Sequence, residues 1–365
     1  MKIRLLHADN GDAIHLRTED EEGKSYNILI DGGLGTTYIN ASAENKAGDL
    51  KHLINDLSSR GEYIDLLVLT HIDDDHIGGI IKWLNDDEAR ENIDVSYAEN
   101  AKNARKMIKK VWFNSGRIIA EHFNKKEKEE HLLNYNTTDG NNTSVGQGRT
   151  FEAFIEENNI WDRRILKNMD EIDLFGLKFT ILSPSENKLK TLLKKWEKET
   201  PKLETSGERD YSKSLTELIK SDKFKEDASV PNGSSIAFLV EEEGKKVVFL
   251  GDAHPKVVVD SLKALGYTEK NPLEVDYVKL SHHGSENNTS VNLLKLIKCD
   301  RFLISSNGLA HYLPKKNCLA RIIKNKEKPA FYFNYPELID MIFSEQDYES
   351  FPNFTAEKAP AEIIV

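Results

Sequence analysis

The stretch Thr70–Gly79, THIDDDHIGG, sets two histidines and three aspartates within six residues, directly behind the apolar run IDLLVL. Two further apolar runs end in the same manner: KKVVFLGDA reaches Asp252, and VDYVKLSHHGS reaches His282 and His283. Imidazole and carboxylate together suit zinc, manganese or iron, and a larger share of carboxylate shifts the preference toward harder cations. Two cations held close together need a bridging carboxylate, which an aspartate from a separate strand such as Asp252 can supply.

Each piece alone has a plainer reading. Aspartates in the first turn of a helix gain about 0.3–1 kcal/mol each from the helix dipole when exposed. A Gly-Asp-Ala after a strand is often a turn, and Gly11-Asp12-Ala13 is read as one. Paired histidines also occur in ordinary loops. Three apolar strands that each end in ligand-type side chains are harder to explain by such accidents, and the conjunction favours a site.

The elements that must position these residues can be read from periodicity. KIRLLHA, AIHLRTE and YNILIDGG read as strands separated by the turns NGD and DEEGKS. HLINDLSSRG has helical spacing and a glycine stop, and IDLLVLT has the continuous apolar pattern of a strand covered on both faces. HIGGIIKWLND starts a helix behind it, whose two glycines are expected to let it pack close. VWFNSG reads as a strand between charged surface helices, and QGRTFEAFIEENN as a helix. DEIDLFGLKFTILSPS reads as a hairpin closing the first half, and residues 186–228 as a solvated helical arm. KPAFYFNY reads as an edge strand, where Pro329 is tolerated. One domain spanning 1–365 is expected, with charged insertions at about 86–142 and 186–228.

Composition bounds the class. The 365 residues are 39% hydrophobic and 30% charged, a globular balance with charged excursions, and the net charge of −11 argues against bulk coating of nucleic acid. It leaves room for cations that reverse the sign inside a cleft. No apolar run approaches the roughly 20 residues of a membrane span. The first residues lack the pattern of a signal peptide. Two cysteines, Cys299 and Cys318, form no disulfide framework, which fits a cytoplasmic location.

The ordered set ILIDGG, LTHIDDDHIGG, FLGDA and KLSHHGS resembles the metallo-β-lactamase-fold hydrolases. NGDAIHL, NGSSIAFLVEEEGKKVVFLGDA and VKLSHHGS are most similar to the branch that includes the hydrolase domain of the DNA-uptake protein ComEC. The likeness runs from Met1 to about Pro314. It implies an α/β fold, the αββα sandwich, with two divalent metal ions, zinc or manganese, at the sheet edge. Carried over, His71 would bind the first metal, and Asp75 and His76 the second. Asp73 stands where the family has a histidine, and as a carboxylate it would still bind. Asp252 would bridge. His282 is favoured as the last ligand of the second metal, with His283 the alternative and otherwise a proton donor. Asp31 would support the ligand loop, and Asp75 would orient the attacking water. The family's mid-chain histidine has no obvious counterpart: His122 and His131 lie in Lys/Glu-rich sequence, and Asn114 is better placed but a weaker ligand. Ser285 and His311 are expected near the substrate.

A phosphodiester substrate, nucleic acid or nucleotide, is the first expectation. A carbon-ester, lactone or amide hydrolase is the alternative, because fold does not choose substrate. A non-catalytic metal-binding effector or sensor subunit, docking a protein partner through the charged insertions, is the third.

Overall fold

The turns at the N-terminus are built from local side chains. Asp20 accepts hydrogen bonds from the backbone N–H groups of Glu22 and Lys24, and Gly23 takes φ +78°, so the chain reverses between Ile14–Glu19 and Ser25–Ile30. The computed structural model describes residues 1–40, 46–93, 104–125, 144–197 and 208–365. Among these, six strands form a first sheet in the order Ile363–Ile364, Lys2–Leu5, Ile14–Glu19, Ser25–Ile30, Leu66–Val68, Val111–Trp112. The last three run parallel. A second sheet of eight strands runs Thr355–Lys358, Ala330–Phe333, Arg301–Ile304, Tyr277–Lys279, Lys245–Phe249, Ala237–Glu242, Leu177–Ser183, Glu171–Leu174. From Lys245–Phe249 through Thr355–Lys358 its strands are parallel.

Three apolar clusters define the layers. Ile14, Leu16, Ile28 and Val68 from one sheet meet Phe179, Phe238, Val247 and Phe249 from the other, so the sheets pack face to face. The opposite face of the first sheet, with Leu29 and Leu67, is covered by Leu53, Ile77, Ile80 and Phe151 from helices. The opposite face of the second, with Val248, Val278 and Phe302, is covered by Val258, Leu262, Leu319 and Ile322. The result is the expected αββα sandwich.

Three local expectations are corrected. The hairpin Glu171–Leu174/Leu177–Ser183 does not close the first half but forms the outer edge of the second sheet, pairing with Ala237–Glu242. Glu186–Glu197 is not a solvated arm. Leu189, Leu192, Leu193 and Trp196 follow helical i, i+3, i+4, i+7 spacing and are buried in the core of the first sheet. At about 1.5–3 kcal/mol per buried large side chain, that stripe outweighs the lysines and glutamates on the opposite face. Ala330–Phe333 is an interior strand: Pro329 precedes it, and Thr355–Lys358 covers the side expected to be open. Of the charged helices expected on either side of VWFNSG, Ala104–Met107 and Gly116–His122 are helical, and residues 94–103 and 126–143, His131 among them, lie outside the described residues.

Candidate metal centre

The site sits where parallel strands of both sheets end. Behind Ser25–Ile30 and Leu66–Val68, the Asp31 N–H donates to the Val68 carbonyl at 2.9 Å, and the Asp31 carboxylate accepts from Thr70 through N–H and Oγ1 at 2.7 Å each. In the second sheet, Lys245–Phe249 and Tyr277–Lys279 end together, and the His282 N–H donates to the Gly251 carbonyl at 2.9 Å. The two edges are tied across the sandwich by Ile236 N–H to Thr70 O, 2.9 Å, while within the first sheet Asp12 N–H donates to Asp75 O at 3.1 Å. Rigid strand ends thus bring loops distant in sequence to one place.

Two overlapping triads result. His71, His76 and Asp252 offer ligand atoms within 4.8 Å of one another, and so do Asp75, His76 and His283. One Asp252 oxygen lies 3.4 Å from His76 Nε2 and the other 3.7 Å from His71 Nε2. His283 Nε2 is 3.3 Å from Asp75 Oδ2, and Asp73 Oδ2 lies 4.0 Å from His71 Nε2. The structure therefore puts His283, rather than the favoured His282, beside Asp75 and His76. The reason is the backbone: both histidines are left-handed, φ +48° and +52°, which turns their rings to different sides.

The outer nitrogens are held. His76 Nδ1 faces Asp31 Oδ2 at 2.8 Å. His71 Nδ1 lies 3.1 Å from Thr70 Oγ1, whose own proton goes to Asp31, so the imidazole must donate and its Nε2 keeps a lone pair. His283 Nδ1 meets Asp12 Oδ1 at 3.3 Å, an ion-pair contact off the hydrogen-bond line, while Lys279 Nζ donates to the other Asp12 oxygen at 2.6 Å. Such partners orient metal-binding imidazoles and fix their tautomers.

The inner atoms are orphaned. Nε2 of His71, His76 and His283 and Oδ1 of Asp252 are buried without a hydrogen-bond partner. Leaving a buried polar group unmet costs about 1–3 kcal/mol each, and four converging on one point fit divalent cations as the missing partner. Electrostatics agree. Burial opposes charging Asp252, yet His282, His76 and His283 hold its carboxyl well below the usual range. Burial likewise opposes protonation of His76, but Asp252, Asp31 and Asp75 raise its pKa well above 6.5. Burial, with His76 alongside, lowers that of His71. The cluster is an anionic well that attracts positive charge.

Other expected residues lie elsewhere or in supporting positions. Asn114 is committed to Leu166, donating to its carbonyl at 2.7 Å and accepting from its N–H at 2.9 Å, so its amide is not a free ligand. His122 faces Glu186 at 3.7 Å, and His131 is outside the described residues. Ser285 is buried, and its Oγ accepts from the Asn287 N–H. His311 occupies a left-handed position in the loop after Arg301–Ile304 and joins neither triad. Sequence reasoning missed Asp12, Lys279, Asp227 and Asn288. For Asp12 the signal was present in NGDAIHL, yet a lone Gly-Asp-Ala reads as a turn. Gly11 is needed beside it, since a Cβ there would lie 2.0 Å from the Asp75 carbonyl oxygen.

An αββα sandwich with a histidine–aspartate metal cluster at its sheet edge is the class that fold and site define. The family model for the Metallo-beta-lactamase superfamily matches residues 21–134, the segment that carries Asp31, His71, Asp73, Asp75 and His76. No curated protein matches the sequence. Among solved structures, the chain is similar to the metallo-beta-lactamase fold protein YhfI from Bacillus subtilis, at 9% identity and TM-score 0.39, covering 99% of this chain and 98% of that one. It is similar also to Zn(2+)-bound PqqB from Methylobacterium extorquens, at 10% identity and TM-score 0.42, with 100% of both chains covered. The diiron beta-hydroxylase CmlA from Streptomyces venezuelae aligns at 11% identity and TM-score 0.40, over 100% of this chain and 53% of that one. Among the described residues no helix is long and apolar enough to cross a membrane.

Proposed function

We propose that the protein is a metal-dependent hydrolase of the ComEC-like kind, cleaving a phosphodiester of nucleic-acid or nucleotide type with two divalent cations, zinc or manganese. The observation that carries this reading is the pair of triads around Asp252, whose inner nitrogens are buried and unmet. His71, Asp73 and Asp252 would hold one cation; Asp75, His76, His283 and Asp252 would hold the other. When bound, such a pair lowers the pKa of water and offsets charge on the attacked phosphoryl oxygen.

The chain's own residues do the rest. Asp75 is half-buried at the start of the helix Asp74–Ile93, and its second oxygen takes a 3.4 Å hydrogen bond from Asn10, a geometry suited to orienting a nucleophile at the rim. Asp31 fixes His76, and Asp12 faces His283. Asp74 points away: its carboxylate is exposed and accepts from Gln147 at 2.6 Å. The phosphodiester preference rests on the motif set FLGDA and KLSHHGS.

The test is turnover of bis(p-nitrophenyl) phosphate and p-nitrophenyl acetate by wild type and Asp252→Ala, with manganese or zinc supplied. Diester cleavage lost by at least about 100-fold in the variant is expected. Cleavage of the acetate alone would move the reading to carbon-ester, lactone or amide substrates. Bound metal with no turnover of either would favour the effector or sensor reading.

A further inference from the structure

The first metal position is short of donors. Asp73 replaces a histidine, Asn114 is tied to Leu166, and His122 pairs with Glu186. Among the described residues no mid-chain histidine reaches the cluster, and His71, Asp252 and Asp73 remain.

His282 faces this position. Asp252 divides the imidazoles by oxygen: Oδ1 lies 3.4 Å from His76 Nε2 and 4.0 Å from His283 Nε2, while Oδ2 lies 3.7 Å from His71 Nε2 and 3.8 Å from His282 Nε2. A carboxylate bridging two cations with one oxygen each would give His71 and His282 to one, and His76 and His283 to the other. Two successive non-glycine residues at φ +48° and +52° are costly, about 1–2 kcal/mol each. They set the two rings 74° apart, with centroids separated by 5.9 Å. Strain of this kind is held where a site needs it.

His282 is backed at Nδ1 as the other three imidazoles are, with its side chain 26% exposed where theirs are buried. Its Nδ1 lies 3.1 Å from Asn288 Oδ1 and 3.6 Å from Asp227 Oδ2. Asp227 Oδ2 in turn accepts from Asn232 Nδ2 at 2.8 Å and Asn288 Nδ2 at 3.2 Å, and that Asn288 amide also donates to the Asp252 backbone carbonyl at 3.2 Å. The Asn232 amide nitrogen also lies 3.3 Å from Nδ1 but spends a proton on Asp227 at the shorter 2.8 Å, so Nδ1–H donates to Asn288 Oδ1 and Nε2 presents its lone pair toward Asp252. His71, His76 and His283 are arranged alike through Thr70, Asp31 and Asp12. An outer partner on every Nδ1 and an inner Nε2 on every ring is the arrangement of a ligand set.

We infer that His282 is a ligand of the first metal, standing in for the absent mid-chain histidine, with Asn288 and Asp227 as its positioning residues. This rests on the two-metal reading above. The experiment is metal stoichiometry and affinity by manganese titration calorimetry, with cobalt absorption as a report of coordination. The proteins are wild type, His71→Ala, His282→Ala, His283→Ala and the doubles His71→Ala/His282→Ala and His282→Ala/His283→Ala.

Two sites are expected in wild type and one tight site in each single variant, the other weakened about 100-fold or more, since losing an outer partner alone costs roughly 10–100-fold. His71→Ala/His282→Ala should keep one site, and His282→Ala/His283→Ala none. Wild-type stoichiometry in His282→Ala, or one site surviving in the double with His283→Ala, would overturn the assignment while leaving the two-metal reading intact. Fewer than two sites in wild type would overturn both. His282→Gln, with circular-dichroism melting, separates ligand loss from misfolding.

Discussion

Lys279 offers a sharp test of how the site is held. It lies in the buried strand Tyr277–Lys279, with its side chain 1% exposed, and donates to Asp12 Oδ2 at 2.6 Å and to the Leu280 carbonyl at 3.1 Å. Asp12 is 2% exposed, and its other oxygen meets His283. Burial alone would raise the Asp12 pKa, but Lys279 and His283 hold it well below the usual carboxylate range. Lys279→Met removes the cation and leaves the carboxylate buried. Breaking one side of such a pair costs about 3–5 kcal/mol, a fifth or more of a typical stability of about 5–15 kcal/mol. Asp12→Asn/Lys279→Met removes both charges and should recover much of that loss, giving a coupling of about 2 kcal/mol or more. Urea unfolding at pH 7 in chelator, followed by tryptophan fluorescence, measures all four corners of the cycle. A cost under about 1 kcal/mol for Lys279→Met, or singles that add without coupling, would mean that the pair does not hold the site.

Asp74 and Asp75 are neighbours with opposite expectations. Asp74→Ala loses one exposed hydrogen bond to Gln147 and should leave turnover within about threefold, whereas Asp75→Ala should lower it about 1000-fold or more; equal effects in a hydrolysis assay would break the assignment. Gly79→Ala would drive a Cβ to 2.0 Å from the Gly32 carbonyl oxygen and should cost about 3 kcal/mol, while Gly35→Ala, whose nearest neighbour is 3.8 Å away, should stay within about 0.5 kcal/mol in thermal melts. His15 is buried against Asn27, and burial lowers its pKa from 6.5 to about 4. Its folded value lies below its unfolded one, so the stability is complete above about pH 6.5 and is lost as pH falls through 4. The difference amounts to about 3 kcal/mol at most. Unfolding free energies from pH 7 to pH 4 should therefore fall more steeply in wild type than in His15→Gln, and parallel curves would reject this.

Most of the sandwich was legible because its strands carry a strong apolar signal. Ile14–Glu19, Ser25–Ile30 and Leu66–Val68 sit where IHLRTE, YNILI and LLV suggest. Ligand types at strand ends were legible for the same reason: a polar cluster directly behind an apolar run stands out. What sequence hid was tertiary. The Glu186–Glu197 helix is rich in lysine, and only its four-residue apolar stripe reveals a core face. Pro329 suggested an edge because the distant strand Thr355–Lys358 was not visible as its neighbour. The choice between His282 and His283 depended on two left-handed residues, which spacing cannot reveal. Asp12 and Lys279 are 267 residues apart, and their pairing exists only once the two sheets face each other.

In the proposed site His71, Asp75, His76, Asp252 and His283 would hold two cations around one shared carboxylate. Elemental analysis of wild type and Asp252→Ala, each loaded with manganese or zinc and desalted, tests it most directly. Close to two metal ions per wild-type chain are expected, with loss of both, or about tenfold weaker retention, in Asp252→Ala. One ion or none in wild type, or two ions held equally well without Asp252, would contradict it.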